Sequence, residues 1–156
     1  MVDITLLMVG KTREGFIREG LDFYQKRLKP LVQLSLKSVR EEKEGGGLTP
    51  ETLKSKEGER LQAQMPPRSW VVALDPQGRE FTTEEFAAWL GQREELSRPL
   101  TFLIGGHWGL SDRVLAAADE RLALSRLTLT HEMARLILLE QLYRAWTIKM
   151  GHPYHV

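Results

Sequence analysis

Two imidazoles and a phenol fall within four positions in the last segment of the chain, Gly151-His152-Pro153-Tyr154-His155-Val156. Imidazoles exchange protons near neutral pH, and a phenol ring can stack on a flat base while its hydroxyl finds a polar partner. Pro153 restricts its own φ and the residue before it, so the tail is expected to be shaped rather than frayed. A loose end that happens to contain histidine is the competing reading. Upstream, Glu140 and Arg144 stand four apart, a spacing that also suits an ordinary surface ion pair.

Three further loops carry candidate chemistry. Ligands of open α/β sheets bind at the carboxyl ends of the strands, and residues 74–78, 105–109 and 125–130 fall there. Gly105, Gly106 and Gly109 would let the backbone approach a ligand closely. Their spacing is not the dinucleotide fingerprint, and a tight turn serving only the chain path explains them equally well. Trp108 can stack on a base or cover the core. His131-Glu132-Met133-Ala134-Arg135 begins like a zinc-protease helix, but Arg135 stands where the second histidine must be, so that reading is rejected. Glu132 is expected to complement the helix dipole. The sequence holds no nucleophile elbow, no phosphate-binding loop and no metal-ligand spacing.

The elements that must position these residues follow from periodicity and caps. Residues 4–9, 70–74 and 100–104 are short apolar runs that read as buried strands. Residues 31–39 alternate as a half-buried strand, and 122–129 hold a further short strand and a loop. Helices are predicted over 13–28, from the Thr49 cap and Pro50 to 64, from the Thr82/Glu85 capping box to 92, from the Ser111 cap to 120, and from the Thr130 cap until Gly151 closes the helix. Asp75-Pro76-Gln77-Gly78 is a turn sequence, and 41–47 a mobile surface loop. Strands alternating with helices predict an α/β fold with a mainly parallel sheet and helices on both faces. In the last helix Met133, Leu136, Ile137, Tyr143 and Ile148 form one apolar side. Ala134, Leu138, Leu142, Ala145 and Trp146 extend it beyond what one sheet face can cover. A homodimer would cover the rest; a thick monomeric core is the alternative.

At 156 residues, 42% hydrophobic and 28% charged, the chain reads as one soluble domain spanning residues 1–156. It has no cysteine, which excludes disulfides and a thiol nucleophile and fits a cytoplasmic protein. No signal peptide and no membrane span are expected. The net charge of +1 is low for a free-standing nucleic-acid binder. The first 43 residues carry nine Lys/Arg against six acids, which fits a polyanion partner or a solvated helix face.

Phe102-Leu103-Ile104-Gly105-Gly106, Gly109-Leu110-Ser111, Leu127-Thr128-Leu129 with His131, Glu140-Gln141-Leu142-Tyr143-Arg144-Ala145-Trp146 and His152-Pro153-Tyr154-His155 together resemble the large-subunit ribosomal RNA pseudouridine N3-methyltransferases (the RlmH type), of the SPOUT class. Lys56-Glu57-Gly58-Glu59-Arg60-Leu61 adds to the likeness, which covers nearly the whole chain. The resemblance implies a C-terminal trefoil knot, a fold no periodicity would suggest, and a homodimer with the knot at its interface. It implies S-adenosylmethionine held by Leu74, Gly106 and the run Ser125, Arg126, Leu127, Thr128, Leu129 and Thr130. The implied substrate is a pseudouridine of 23S rRNA in the assembled ribosome, with no metal and no membrane involved. Arg144 would stabilise charge or anchor a phosphate, Tyr154 would stack or hydrogen-bond, and His155, or less readily His152, would take the N3 proton. The dimer could bring one subunit's tail to the other's cofactor. His107-Trp108 departs from the family pattern, which has a small residue or proline and then an acid. A non-catalytic ribosome-associated factor of this fold and a tRNA-directed SPOUT methyltransferase are the other readings.

Overall fold

The computed structural model describes residues 1–155. Five strands alternate with five helices: β1 (Asp3–Val9), α1 (Gly15–Leu28), β2 (Gln33–Val39), α2 (Pro50–Ala63), β3 (Trp70–Glu80), α3 (Thr83–Glu94), β4 (Leu100–Ile104), α4 (Asp112–Ala117), β5 (Glu120–Ala123) and α5 (His131–Lys149). The strands form one sheet in the order β2-β1-β4-β3-β5, and every pairing is parallel. The expected parallel α/β architecture is therefore present. Parallel sheets are covered on both faces, and the strand alternation shows how. Leu6, Met8, Val72 and Phe102 point into a core shared with α1, α3 and α5. Leu7, Val9, Ala73 and Leu103 point the other way, toward Leu61 of α2 and Val114 of α4.

Local chemistry sets the helix starts. The Thr49, Ser111 and Thr130 side chains accept from the backbone N–H groups of Thr52, Val114 and Met133, and Thr82 with Glu85 forms the full capping box. The end of α5 is equally defined. Gly151 sits at φ +68°. Its N–H donates to Ile148 O, and that of His152 to Thr147 O at 2.9 Å. That pair of bonds is a Schellman cap, which turns the tail away from the helix axis.

Two boundaries differ from expectation. Strand β3 resumes after the expected turn and runs to Glu80: Leu74 and Arg79 both lie opposite Leu122, residues 75–78 have no partner in β5, and Gln77 N–H donates to Asp75 Oδ1 at 3.1 Å. A Cβ on Gly78 would lie 2.7 Å from the Leu122 backbone nitrogen, so glycine here lets the excursion return in close backbone contact with β5. Helix α4 stops at Ala117, and Glu120 opens β5 instead of ending the helix. Its carboxylate accepts from the indole N–H groups of Trp70 at 2.7 Å and Trp89 at 3.0 Å and from Arg93 at 2.6 Å. Burial opposes its ionisation, but these donors outweigh it and hold the carboxyl below the usual glutamate range. Three long-range donors hold this residue in the strand against its helical surroundings in sequence.

Helix α5 buries Leu138, Leu139, Leu142, Ala145 and Trp146. Met133, Leu136, Ile137, Tyr143 and Ile148 on its other sides are only half-buried. No helix among the described residues is long and apolar enough to cross a membrane.

Candidate functional site

The interruption of β3 after Leu74 and the carboxyl ends of β4 and β5 frame a shallow, open cleft. Leu74, Gly106, Ser125, Leu127, Thr128 and Leu129, named above as cofactor contacts, all line it. So do Asp75, Pro76, Gly105 and Gly109 of the expected ligand loops, and Leu122, Leu124, His131 and Ala134, which lie outside those loops. Arg126 and Thr130 are exposed on the same loop, and Thr130 serves α5 as its cap. The walls are mostly backbone and aliphatic carbon, and Leu127 at the lip is 77% exposed. The Ser125 hydroxyl accepts from Leu127 N–H at 2.9 Å, which curls the 125–129 loop.

One wall exists only because it is glycine. The Gly109 N–H donates to Gly106 O at 3.0 Å, and Gly109 takes φ +85°. A Cβ on Gly105 would lie 2.5 Å from the Gly109 carbonyl carbon. Backbone therefore fills the space a side chain would need, and this part of the cleft wall is main chain. His131 sits beside this wall. Burial first, then the nearby Arg135 cation, lowers its pKa below the ordinary histidine value, which favours the neutral ring. In that form it presents no like charge to a cationic ligand.

Behind the wall lies a buried acid. Glu57 Oε2 accepts from Glu42 N–H at 2.9 Å, while Oε1 has no protein partner and lies 3.7 Å from where a Gly106 Cβ would sit. Burial raises its pKa. A raised folded-state pKa means that stability is lost as pH climbs through it. Glu57→Gln mimics the protonated form, so it should raise the melting temperature more at pH 8 than at pH 4. Equal shifts at both pH values would refute this.

The base of the cleft is tied to α1 by α5. Glu132 accepts from Arg13 and Glu14 N–H at 3.1 and 3.0 Å, so it serves the entry of α1 rather than only its own helix dipole. Arg135 is completely buried and donates to Val9 O at 2.6 Å, Gly10 O at 2.9 Å and Thr12 Oγ1 at 2.8 Å. The residue that breaks the zinc motif is thus a buried clamp on the β1–α1 turn. A charged residue among apolar helix positions was the available sequence signal.

Arg144, Tyr154 and His155 meet elsewhere, near the far end of α5. Arg144 pairs with Glu140 at 2.7 Å and approaches His155 Nδ1 at 3.1 Å. Its guanidinium lies over the Tyr154 ring, 4.8 Å from the centroid. Tyr154 packs edge-on against Tyr143, and its hydroxyl donates to Glu140 at 3.3 Å. Burial first, then the hydrogen bond with Tyr24, pushes Tyr154 well above the usual phenol range, which makes it a donor at neutral pH. His155 Nε2 faces Glu84 of α3 at 3.0 Å. His152 is exposed and joins the cluster by no described side-chain bond. Ala134 in the cleft and Arg144 are ten positions apart on one helix, roughly 15 Å at 1.5 Å per residue. The two halves of the predicted site therefore do not meet within one chain. Among the described residues, no three His, Asp or Glu side chains are grouped to hold a metal ion.

A cleft at the carboxyl ends of a parallel sheet is where open α/β folds bind small ligands. Residues 2–155 match the model of the predicted SPOUT methyltransferases, and the chain belongs to that family. It is 43% identical over 99% of its length to a protein of Carboxydothermus hydrogenoformans named ribosomal RNA large subunit methyltransferase H, and the match covers 99% of that protein. A Geobacter metallireducens protein of the same name is 44% identical, with 97% of each chain covered. The fold is also similar to that of a probable methylase family protein from Haemophilus influenzae Rd KW20. There the TM-score is 0.57 at 14% identity, over 99% of this chain and 71% of the other.

Proposed function

We propose that this chain methylates N3 of a pseudouridine in large-subunit (23S) ribosomal RNA, within assembled ribosomes, with S-adenosylmethionine as methyl donor. The observation that carries the reading is the backbone-walled cleft in a chain that matches named ribosomal RNA methyltransferases along nearly its whole length. The cleft fits that donor: aliphatic side chains suit adenine, main-chain groups suit its ring nitrogens and the ribose, and the one histidine in the lining favours its neutral form. Bound there, S-adenosylmethionine supplies a methyl group on a sulfonium, which leaves readily. Leu74, Gly106 and the 125–129 loop would grip it mainly through backbone.

N3 of pseudouridine lies between two carbonyls and becomes a good nucleophile only as its proton leaves. Arg144 is placed to stabilise the resulting imide charge or to hold a neighbouring phosphate. Tyr154, protonated, offers a hydroxyl or a ring face. His155 takes the proton on Nδ1 once substrate draws Arg144 away from that atom, while Glu84 orients the ring through Nε2. Because Arg144 stands well along α5 from its own cleft, the site is completed by a second subunit. The half-buried apolar side of α5 is the surface we assign to that homodimer, and the trefoil threading of the C-terminal half belongs to the same proposal. Such an enzyme works in the cytoplasm, where ribosomes are.

Methyl-labelled S-adenosylmethionine with ribosomes lacking the modification tests this directly. Label should appear on a pseudouridine with ribosomes and not with naked rRNA. Arg144→Ala should cut turnover about 100-fold while cofactor binding persists. Label on neither substrate, from a protein that binds cofactor, would overturn the reading. Label on transfer RNA alone would redirect it.

A further inference from the structure

Trp108 sits in the turn that closes the glycine wall, between Gly106 and Gly109, both of which line the cleft. It is 43% exposed, whereas Trp89 and Trp146 are 4% and 6% exposed. Its indole N–H is not free: it donates to Glu44 Oε1 at 3.0 Å, from the segment between β2 and α2. The His107 ring stands nearly perpendicular to it, with centroids 4.8 Å apart. The indole is thus fixed by its edge and its neighbour while much of its surface faces solvent. Lys43, next to the Glu44 anchor, is exposed and available to a phosphate. A tryptophan needed only to cover the core would be buried like Trp89 and Trp146, or half-buried like Trp70. An edge-anchored, exposed indole beside a cleft is instead suited to stacking on a flat ring, and such stacking tolerates any base.

We propose that Trp108 is a stacking platform for an unpaired RNA base flanking the methylated nucleotide, and so a substrate-positioning and specificity residue. The proposal rests on the rRNA reading above for the identity of the strand, and not for the stacking itself. Trp108→Phe keeps a flat ring; Trp108→Ala removes it. With methyl-deficient ribosomes, Trp108→Ala should raise KM about tenfold, with the loss falling on KM rather than kcat, and Trp108→Phe should restore most of it. Cofactor affinity, measured by calorimetry, should match the parent, because the wall contacts the cofactor through backbone.

A second readout does not need catalysis. A 20-nucleotide single-stranded RNA should quench the tryptophan emission of the parent, and the quench should be largely lost in Trp108→Phe. If no methyl transfer occurs but this quench does, the rRNA reading fails and the platform stands. An unchanged KM in Trp108→Ala, or the same quench in Trp108→Phe, would overturn the platform. So would a Trp108→Ala protein whose loss of activity tracks dissociation to monomers in sedimentation, which would make Trp108 an interface residue.

Discussion

Gly105→Ala should abolish cofactor binding while leaving the sheet folded. The added methyl would lie 2.5 Å from the Gly109 carbonyl carbon and 2.7 Å from its oxygen. Both are backbone atoms, which cannot step aside as the end of a side chain can. Relief requires opening the turn held by the Gly109 to Gly106 hydrogen bond, and that turn is the cleft wall. A conflict of about 3 kcal/mol, the scale of enforced backbone strain, weakens binding by at least about 100-fold. Calorimetric titration with S-adenosylmethionine reads the affinity, and far-UV circular dichroism reports the fold. Gly106→Ala is the graded companion. Its methyl would meet the Val9 side chain at 3.1 Å, which can give, so a milder loss is expected. Parental affinity in Gly105→Ala would mean that this wall is not part of the cofactor site.

Arg135→Met should be the most destabilising single change considered, by about 3–5 kcal/mol. Methionine fills similar volume but donates nothing. The Val9 and Gly10 carbonyls, both accepting from Arg135 in the buried interior, would lose that donor, and Thr12 Oγ1 would lose its partner as well. Glu132 would suffer too. Burial works against its charge, and the N–H groups of Glu14 and Arg13, aided by Arg135, hold its pKa below the usual range. A depressed acid stabilises the fold above its unfolded pKa and loses that contribution as pH falls through the folded value. The variant should therefore unfold at lower urea, and its acid unfolding should begin at higher pH than in the parent. Arg135→Lys keeps the charge but not the planar fork, and should fall between the two. A urea midpoint equal to the parent's would remove Arg135 from its role as a clamp.

Features set by neighbours in sequence were legible without coordinates. The caps at Thr49, Thr82, Ser111 and Thr130 each depend on a donor three residues away, and the strand at 100–104 is a pure apolar run. The cleft loops followed from the rule that ligands gather at carboxyl strand ends. What depended on distant partners was not legible. Glu120 reads as helical until Trp70, Trp89 and Arg93 are found around it. The turn at 75–78 gives no sign that the chain rejoins the sheet beyond it, with Gly78 packed on the β5 backbone. Glu132 and Arg135 look like a failed metal motif because their partners lie near residue 10. Tyr154 and His155 lie against Arg144 and His152 does not, and their distance from the cleft depends on the straight run of α5, which a residue list does not convey.

The strand order also sets a timetable for synthesis. Interior strand β1 is made well before β4, with Leu6 and Leu7 wholly buried in the finished sheet. Its partner on one side is β4, where Ile4 lies opposite Leu100. At ~5–20 residues per second, an apolar strand waits roughly 5–20 s before that neighbour is even translated. Pairings so distant along the chain are slow to form, and until they do one edge of β1 is open to any other strand. The nascent chain thus depends on being shielded during its own translation, and crowded or accelerated expression should favour aggregation over the assembled sheet.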